Sequence, residues 1–208
     1  KNQGALAKLK NKQVLRVIAT GRSLYTTKQC LPADFPMDYL IASTGSHILD
    51  WQTGQVLRAT ALSPEDTQNI THLLVDLDVN FMVHDLFPHN HFFAYYRGSV
   101  VNEDFERRLQ IYKTLGREIN SWTPLAPAAQ IIIILTAQEM EIFDHITQAC
   151  AHLSVIRATS PLDDQSIWVE IFASQVSKAT GLAQILRHHG LDQTLTAAIG
   201  NDHNDQDM

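Results

Sequence analysis

The sequence predicts an α/β protein in which a parallel-sheet core is interrupted by an α+β domain of its own. Three observations carry that reading. The chain opens in the order helix, strand, helix, strand, which builds a parallel sheet. Its middle, residues 60–175, changes to short strands mixed with helices. The closing stretch returns to the opening pattern, with a capped helix and then the apolar run 195–199 leading into Gly200.

The elements follow in order. Residues 2–12 read as the end of an amphipathic helix, and 14–19 as an apolar strand broken by Thr20-Gly21-Arg22-Ser23. A short helix is predicted over 24–31. A strand over 39–42 is ended by Ser43-Thr44-Gly45-Ser46. A hairpin pairs 47–50 with 55–59 around Thr53-Gly54. At Ser63-Pro64-Glu65-Asp66 an N-cap serine, a first-turn proline and early acids start a helix. Ile70, Leu73, Leu74 and Leu77 then follow at helical spacing. Strands are expected over 80–85, 91–97, 130–135, 154–158 and 166–172. Helices are marked by Phe105, Leu109 and Tyr112 and by Met140, Phe143 and Ile146. This middle region reads as a strand-rich, antiparallel α+β unit. Ser177 caps a last helix carrying Leu182, Ile185 and Leu186 and ending at Gly190. A final strand is expected over 195–199. The domain reading is therefore core 1–59, insert 60–175, core 176–208, with a Rossmann-like core.

Composition bounds the function. The chain has 208 residues, 45% of them hydrophobic, which supports one large or two smaller cores. A formal net charge of −6 and no Lys/Arg-rich tract exclude a nucleic-acid backbone partner on electrostatic grounds. The longest apolar run, Ile131-Ile132-Ile133-Ile134-Leu135, has buried-strand length, far from the roughly 18–20 residues of a membrane span. Cys30 and Cys150 lack metal spacing and read as thiols in a reducing cytoplasm, with a disulfide as the lesser alternative, so a cytoplasmic location is expected.

Three segments carry candidate chemistry. Thr20-Gly21-Arg22 ends a strand, so the Thr20 hydroxyl and the Gly21 and Arg22 amides are able to cradle a phosphate; an ordinary β–α turn is the alternative. Lys178 opens a helix, where a cation opposes the dipole. A bound anion at the helix start explains it, as does plain solvation. Gly200-Asn201-Asp202-His203-Asn204-Asp205 gathers hard oxygen donors of the kind that suit magnesium, at the C-terminal edge where open α/β sheets bind ligands. Phosphate, cation and lysine together point to phosphoryl chemistry, in which positioning and charge neutralisation do most of the work.

In this order the segments resemble the haloacid dehalogenase superfamily, specifically its Cof-type sugar-phosphatase branch with a type IIB cap, over essentially the whole chain. Thr20 in Ala-Thr-Gly-Arg is similar to the second motif and Lys178 in Val-Ser-Lys-Ala-Thr-Gly-Leu to the third. Ser43-Thr44-Gly45-Ser46 resembles the Ser-Asn-Gly-Ala step of the branch, with Thr44 where asparagine is usual. The Gly200 segment resembles the fourth motif, usually Gly-Asp-x-x-Asn-Asp. The resemblance implies Thr20 and Lys178 as catalytic residues, Gly21, Arg22, Thr44, Gly45 and Asn204 as substrate contacts, and Mg²⁺ held by Asn201, Asp202 and Asp205. Asn201 stands where the family has an acid. Either its amide oxygen coordinates neutrally, or Asp202 or Asp205 takes the load.

The first motif, Asp-x-Asp-Gly-Thr, supplies the family's nucleophile and its acid/base. It is expected just upstream of Lys1, so residues 1–208 alone are expected to be inactive. The implied activity is a magnesium-dependent phosphatase. It acts on small phosphorylated metabolites such as sugar phosphates through an aspartyl-phosphate. The expected protein is a monomer or weak homodimer with no membrane partner. The alternative is a non-catalytic relative that binds a phosphorylated ligand as a sensor; a phosphomutase is a third reading. His84, His89 and His91 lack a further ligand set for zinc and read as a polar surface or sugar contacts. His188 and His189 suit a helix C-terminus. Tyr95, Tyr96 and Trp168 read first as packing residues.

Overall fold

The computed structural model describes residues 2–120, 126–160, 166–201 and 205–208. They divide into two compact units. One contains residues up to Thr60 together with Val176–Asn201 and Asp205–Met208; the other contains Ala61–Gln175.

The first unit begins with α1 (Asn2–Lys10), β1 (Val17–Ala19), α2 (Leu24–Cys30) and β2 (Tyr39–Ala42). A 3-10 turn over Ser43–Gly45 leads to β3 (His47–Asp50) and β4 (Val56–Ala59). Ser23 caps α2 by accepting from the Thr26 amide. The sheet order is β1-β2-β3-β4. The crossover through α2 makes β1 and β2 parallel, whereas the hairpin around Gly54 makes β3 and β4 antiparallel. Parallel pairing in this unit is confined, among the described residues, to β1 and β2.

The later helix of this unit packs on that sheet. Ile185 joins Tyr39, Ile41 and Ile48 in one buried cluster. A methyl on Gly181 would meet Ile41 Cγ2 at 2.9 Å, so helix and strand approach at glycine distance. At the start of β1, buried Arg16 forms a two-toothed pair with Asp38, Nη2 to Oδ1 at 2.6 Å and Nε to Oδ2 at 2.9 Å. That pair holds Asp38 below the usual carboxylate range against the upward push of burial.

The inserted unit contains α3 (Pro64–Asp76), β5 (Phe81–His84), β6 (Phe93–Tyr96), α4 (Glu103–Ile111), β7 (Gly116–Glu118), β8 (Gln130–Leu135), α5 (Met140–Ala149), β9 (Ser154–Thr159) and β10 (Ile167–Phe172). Ser63 and Asn102 cap α3 and α4 through their side-chain oxygens. The six strands run β7-β6-β5-β8-β10-β9. All neighbours are antiparallel except β6 and β7. β8 explains the apolar run: Ile131, Ile133 and Leu135 enter one core and Ile132 and Ile134 the other, so both faces of the strand are covered. Likewise Ile167, Val169 and Ile171 of β10 enter the first core and Trp168 the second. Trp168 Nε1 donates to buried Asp104 Oδ2 at 2.6 Å, and the Arg108 guanidinium lies over the same ring.

The last helix, α6 (Lys178–His189), returns the chain to the first unit. It opens with a reciprocal capping box between Ser177 and Thr180 and closes on Gly190 at φ 63°.

Two expectations are corrected. The predicted strand over 195–199 is not a strand. A 3-10 turn (Gln193–Leu195) leads into unpaired backbone, with Leu195 80% and Ile199 98% exposed. Apolar composition makes a strand only where a neighbour supplies a ladder and a core buries the side chains; this run has neither among the described residues. Conversely, β7 is a strand that the sequence does not announce. Gly116-Arg117-Glu118 has no apolar alternation, and pairing with β6 creates it.

Candidate functional site

The turn after β1 and the turn after β2 are tied through their backbones. The Thr20 amide donates to Ile41 O at 2.9 Å, the Thr44 amide to Thr20 O at 3.0 Å and the Ser43 amide to Arg22 O at 2.9 Å. The Thr20 hydroxyl accepts the Arg22 amide at 3.2 Å, the local bond expected of threonine at a strand–helix turn. Arg22 itself is exposed. A methyl on Gly21 would reach Thr44 Oγ1 at 3.5 Å, so the two turns sit in contact.

The second turn is conformationally unusual. Ser43, Thr44 and Gly45 have φ of 45°, 55° and 108° in succession. Left-handed backbone suits glycine and asparagine. For β-branched Thr44 it is an outlier that persists only where the surroundings impose it. Thr44 is fully buried. The surroundings include the start of α6. A methyl on Gly45 would collide with the Ser177 carbonyl oxygen and lie 3.2 Å from the Lys178 amide nitrogen. Glycine at 45 therefore lets the turn seat directly on the helix start.

Lys178 occupies the first position of α6 with its side chain only 7% exposed. Its Nζ lies 2.6 Å from Asp205 Oδ1, and the Asp205 side chain is 11% exposed. Asp205 Oδ2 accepts the Asn201 amide at 3.0 Å. A methyl on Gly200 would collide with the Asp205 side chain, so that glycine lets the carboxylate fold back over its own segment. The anion that sequence reasoning seeks beside Lys178 is thus present as a carboxylate. It offsets both the ammonium's burial and its unfavourable place at the positive helix end.

Thr20, Gly21, Arg22, Thr44, Gly45, Lys178, Asn201 and Asp205 are thereby linked, contact by contact, within the first unit. Asp202 and Asn204 lie outside the described residues. Chemically the set offers a hydroxyl, turn amides and an ammonium for an oxyanion, and amide and carboxylate oxygens for a hard cation. Both oxygens of Asp205 already accept hydrogen bonds. Among the described residues no group of three or more His, Cys, Asp and Glu side chains forms a metal cage.

One neighbour escapes sequence reasoning. His47, one residue beyond Ser46, is buried, and its Nδ1 lies 2.8 Å from Ser46 Oγ. Burial first, and the Arg58 charge second, push its pKa down to about 4, so the ring is neutral near pH 7. A histidine following the turn motif is the only sequence signal. His84 is also buried and pushed down to about 3, chiefly by burial. Cys30 and Cys150 are free thiols, and no helix among the described residues is long and apolar enough to cross a membrane.

Comparison with known proteins gives the family and the fold. A family described as haloacid dehalogenase-like hydrolase matches residues 1–208. A Mycoplasma pneumoniae protein provisionally named a phosphatase is 25% identical over 206 residues, covering 91% of this chain and 69% of its own. Among solved structures, a phosphatase of the haloalkanoate superfamily from Bacteroides thetaiotaomicron superposes with a TM-score of 0.72 at 19% identity, covering 99% of this chain and 71% of its own. A subclass IIB sugar phosphatase superposes at 0.65 with 16% identity, covering 91% and 68%. A haloacid dehalogenase-like hydrolase from B. subtilis superposes at 0.71 with 15% identity, covering 100% and 78%. These structural likenesses are likenesses of fold.

Proposed function

The chain belongs to the haloacid dehalogenase-like hydrolases; from that premise we propose that it serves a phosphatase, a magnesium-dependent phosphomonoesterase acting on small phosphorylated metabolites, sugar phosphates foremost. The observation that carries the reading is the continuous link from Thr20 through the Ser43–Gly45 turn to Lys178 and on to Asp205.

In this proposal Thr20 and Lys178 hold the transferring phosphoryl group, with the Gly21 amide and the Thr44–Gly45 turn beside them, while the Arg22 amide orients the Thr20 hydroxyl. Lys178 neutralises phosphoryl charge, and Asp205 keeps its ammonium in register. The donor set suits magnesium by chemistry: Asn201 and Asp205 would hold it in part, through an amide and a carboxylate oxygen. When bound, the ion offsets charge on the phosphoryl oxygens. The nucleophile implied by the resemblance is an aspartate supplied outside these residues, forming an aspartyl-phosphate. The proposed setting is the cytoplasm, the proposed state a monomer or weak homodimer.

The test is p-nitrophenyl phosphate hydrolysis by the full-length protein, with and without Mg²⁺, beside Lys178→Ala. Magnesium-dependent turnover lost in the variant is expected; turnover equal to wild type in Lys178→Ala would sink the reading.

A second reading is a non-catalytic relative that binds a phosphorylated ligand. Asn201 in an acid's usual place favours it, as do the two hydrogen bonds already on Asp205. Inorganic phosphate binding without turnover in the full-length protein would select it.

A further inference from the structure

The chain leaves the first unit after Thr60 and re-enters it at Val176. Both crossing points are fastened to the proposed phosphoryl site. On re-entry, buried Val176 is followed at once by Ser177, whose carbonyl abuts Gly45, and then by Lys178. On exit, Thr60 is bonded twice to one atom. Its amide donates to Ser46 O at 3.0 Å, and its hydroxyl donates to the same oxygen at 3.2 Å. The amide bond only continues the β3–β4 ladder by one step. The hydroxyl bond belongs to no ladder. It lands on the residue that closes the Ser43–Gly45 turn, where the Ser46 amide donates back to Ser43 O at 3.0 Å.

That turn cannot hold itself. Three successive positive φ values, one at a β-branched residue, require outside restraint. Ser46 is where restraint enters from the β3 side, and Ser177 from the α6 side.

We propose that Thr60 is a positioning residue of the phosphoryl site, acting through Ser46 on the turn that seats Lys178. Its hydroxyl clamps the turn's closing carbonyl, so the segment leading into the inserted unit holds the turn in its left-handed form. The role rests on the phosphoryl-site reading, but the clamp is a property of the turn and is measurable without it.

Thr60→Val keeps the branched shape and the backbone amide while removing the hydroxyl; Thr60→Ser restores the hydroxyl. Native-state hydrogen exchange is read at the Thr44 and Ser46 amides, with Ile41 of β2 as the reference. Exchange at Thr44 and Ser46 is expected to rise ~5-fold or more over the reference in Thr60→Val, the worth of about one hydrogen bond, and to return to wild type in Thr60→Ser. Inorganic phosphate affinity, by calorimetry, is expected to fall by a similar factor in Thr60→Val alone. Unchanged exchange at both amides in Thr60→Val overturns the proposal, as does equal loosening in Thr60→Ser. If wild type binds no phosphate, the phosphoryl-site reading fails, and the exchange ratios alone decide whether the clamp exists.

Discussion

Replacing Gly45 by alanine tests the seating of the turn on α6, and two other glycines calibrate the result. Gly4 lies in α1 with open space where a methyl would go. Gly4→Ala should stabilise by up to ~0.5–1 kcal/mol through helix propensity, less if the terminal helix frays. Gly54 has φ 74° and also faces open space. Gly54→Ala adds a left-handed backbone cost of ~1–2 kcal/mol, partly offset by a stiffer unfolded chain, for a net loss near ~1 kcal/mol. Gly45 combines φ 108° with a blocked Cβ direction, and the blocking atoms are backbone, the Ser177 carbonyl, which no rotamer change moves aside. Adding ~1–3 kcal/mol of overpacking to a net backbone cost near ~1 kcal/mol puts Gly45→Ala at ~2–4 kcal/mol. With a urea m-value of ~2 kcal/mol/M, the transition midpoint should fall by ~1–2 M, against ~0.5 M for Gly54→Ala. Urea titration followed by far-UV circular dichroism reads all three. A Gly45→Ala loss within about 0.5 kcal/mol of Gly54→Ala, the spread of an ordinary surface substitution, would refute the contact between turn and helix.

Three further outcomes are expected. Lys178→Ala and Asp205→Ala should each destabilise by ~3 kcal/mol, because each removes one half of a buried ion pair. The double variant should cost clearly less than the sum, and a urea double-mutant cycle that adds up would deny the pair. His47 titrates near 6.5 unfolded but at about 4 folded. Between those values only the unfolded state takes up the proton, so its contribution is complete above pH ~6.5 and lost as pH falls toward 4. About 2 kcal/mol should disappear between pH 7 and pH 5, and His47→Gln should flatten that slope; an unaltered slope contradicts the assignment. Trp168→Phe removes the indole donor to Asp104 Oδ2; the other Asp104 oxygen is buried with no hydrogen bond among the described residues. A loss of ~2–4 kcal/mol is expected, largely recovered on adding Asp104→Asn if the stranded charge is the cause; thermal unfolding of the three variants decides.

Where local chemistry decides, the chain is readable. Ser63-Pro64 and Ser177 name their helix starts because a hydroxyl is needed at the orphan amides, and both cap in the structure. The candidate site is legible as three separate segments because each has its own turn chemistry. How they join is not. Asp205 lies 27 positions from Lys178, and Gly45 far from Ser177, so neither contact leaves a periodic trace. The apolar run ending at Ile199 misleads for the complementary reason. Its composition suits a strand, but strandhood belongs to a pair, and no described segment pairs with it.

The first unit is assembled from two stretches of chain with the 61–175 stretch synthesised between them. On a ribosome adding ~5–20 residues per second, β1 to β4 emerge ~6–25 s before α6. Through that interval the face bearing Tyr39, Ile41 and Ile48 waits for Ile185 with nothing from α6 to cover it. The contiguous inserted unit meets no such delay and is free to fold first. Folding order therefore differs from synthesis order: β1 to β4 are made before the inserted unit but complete their packing only after it, and until α6 arrives their bare sheet face is open to chaperones and to misassembly.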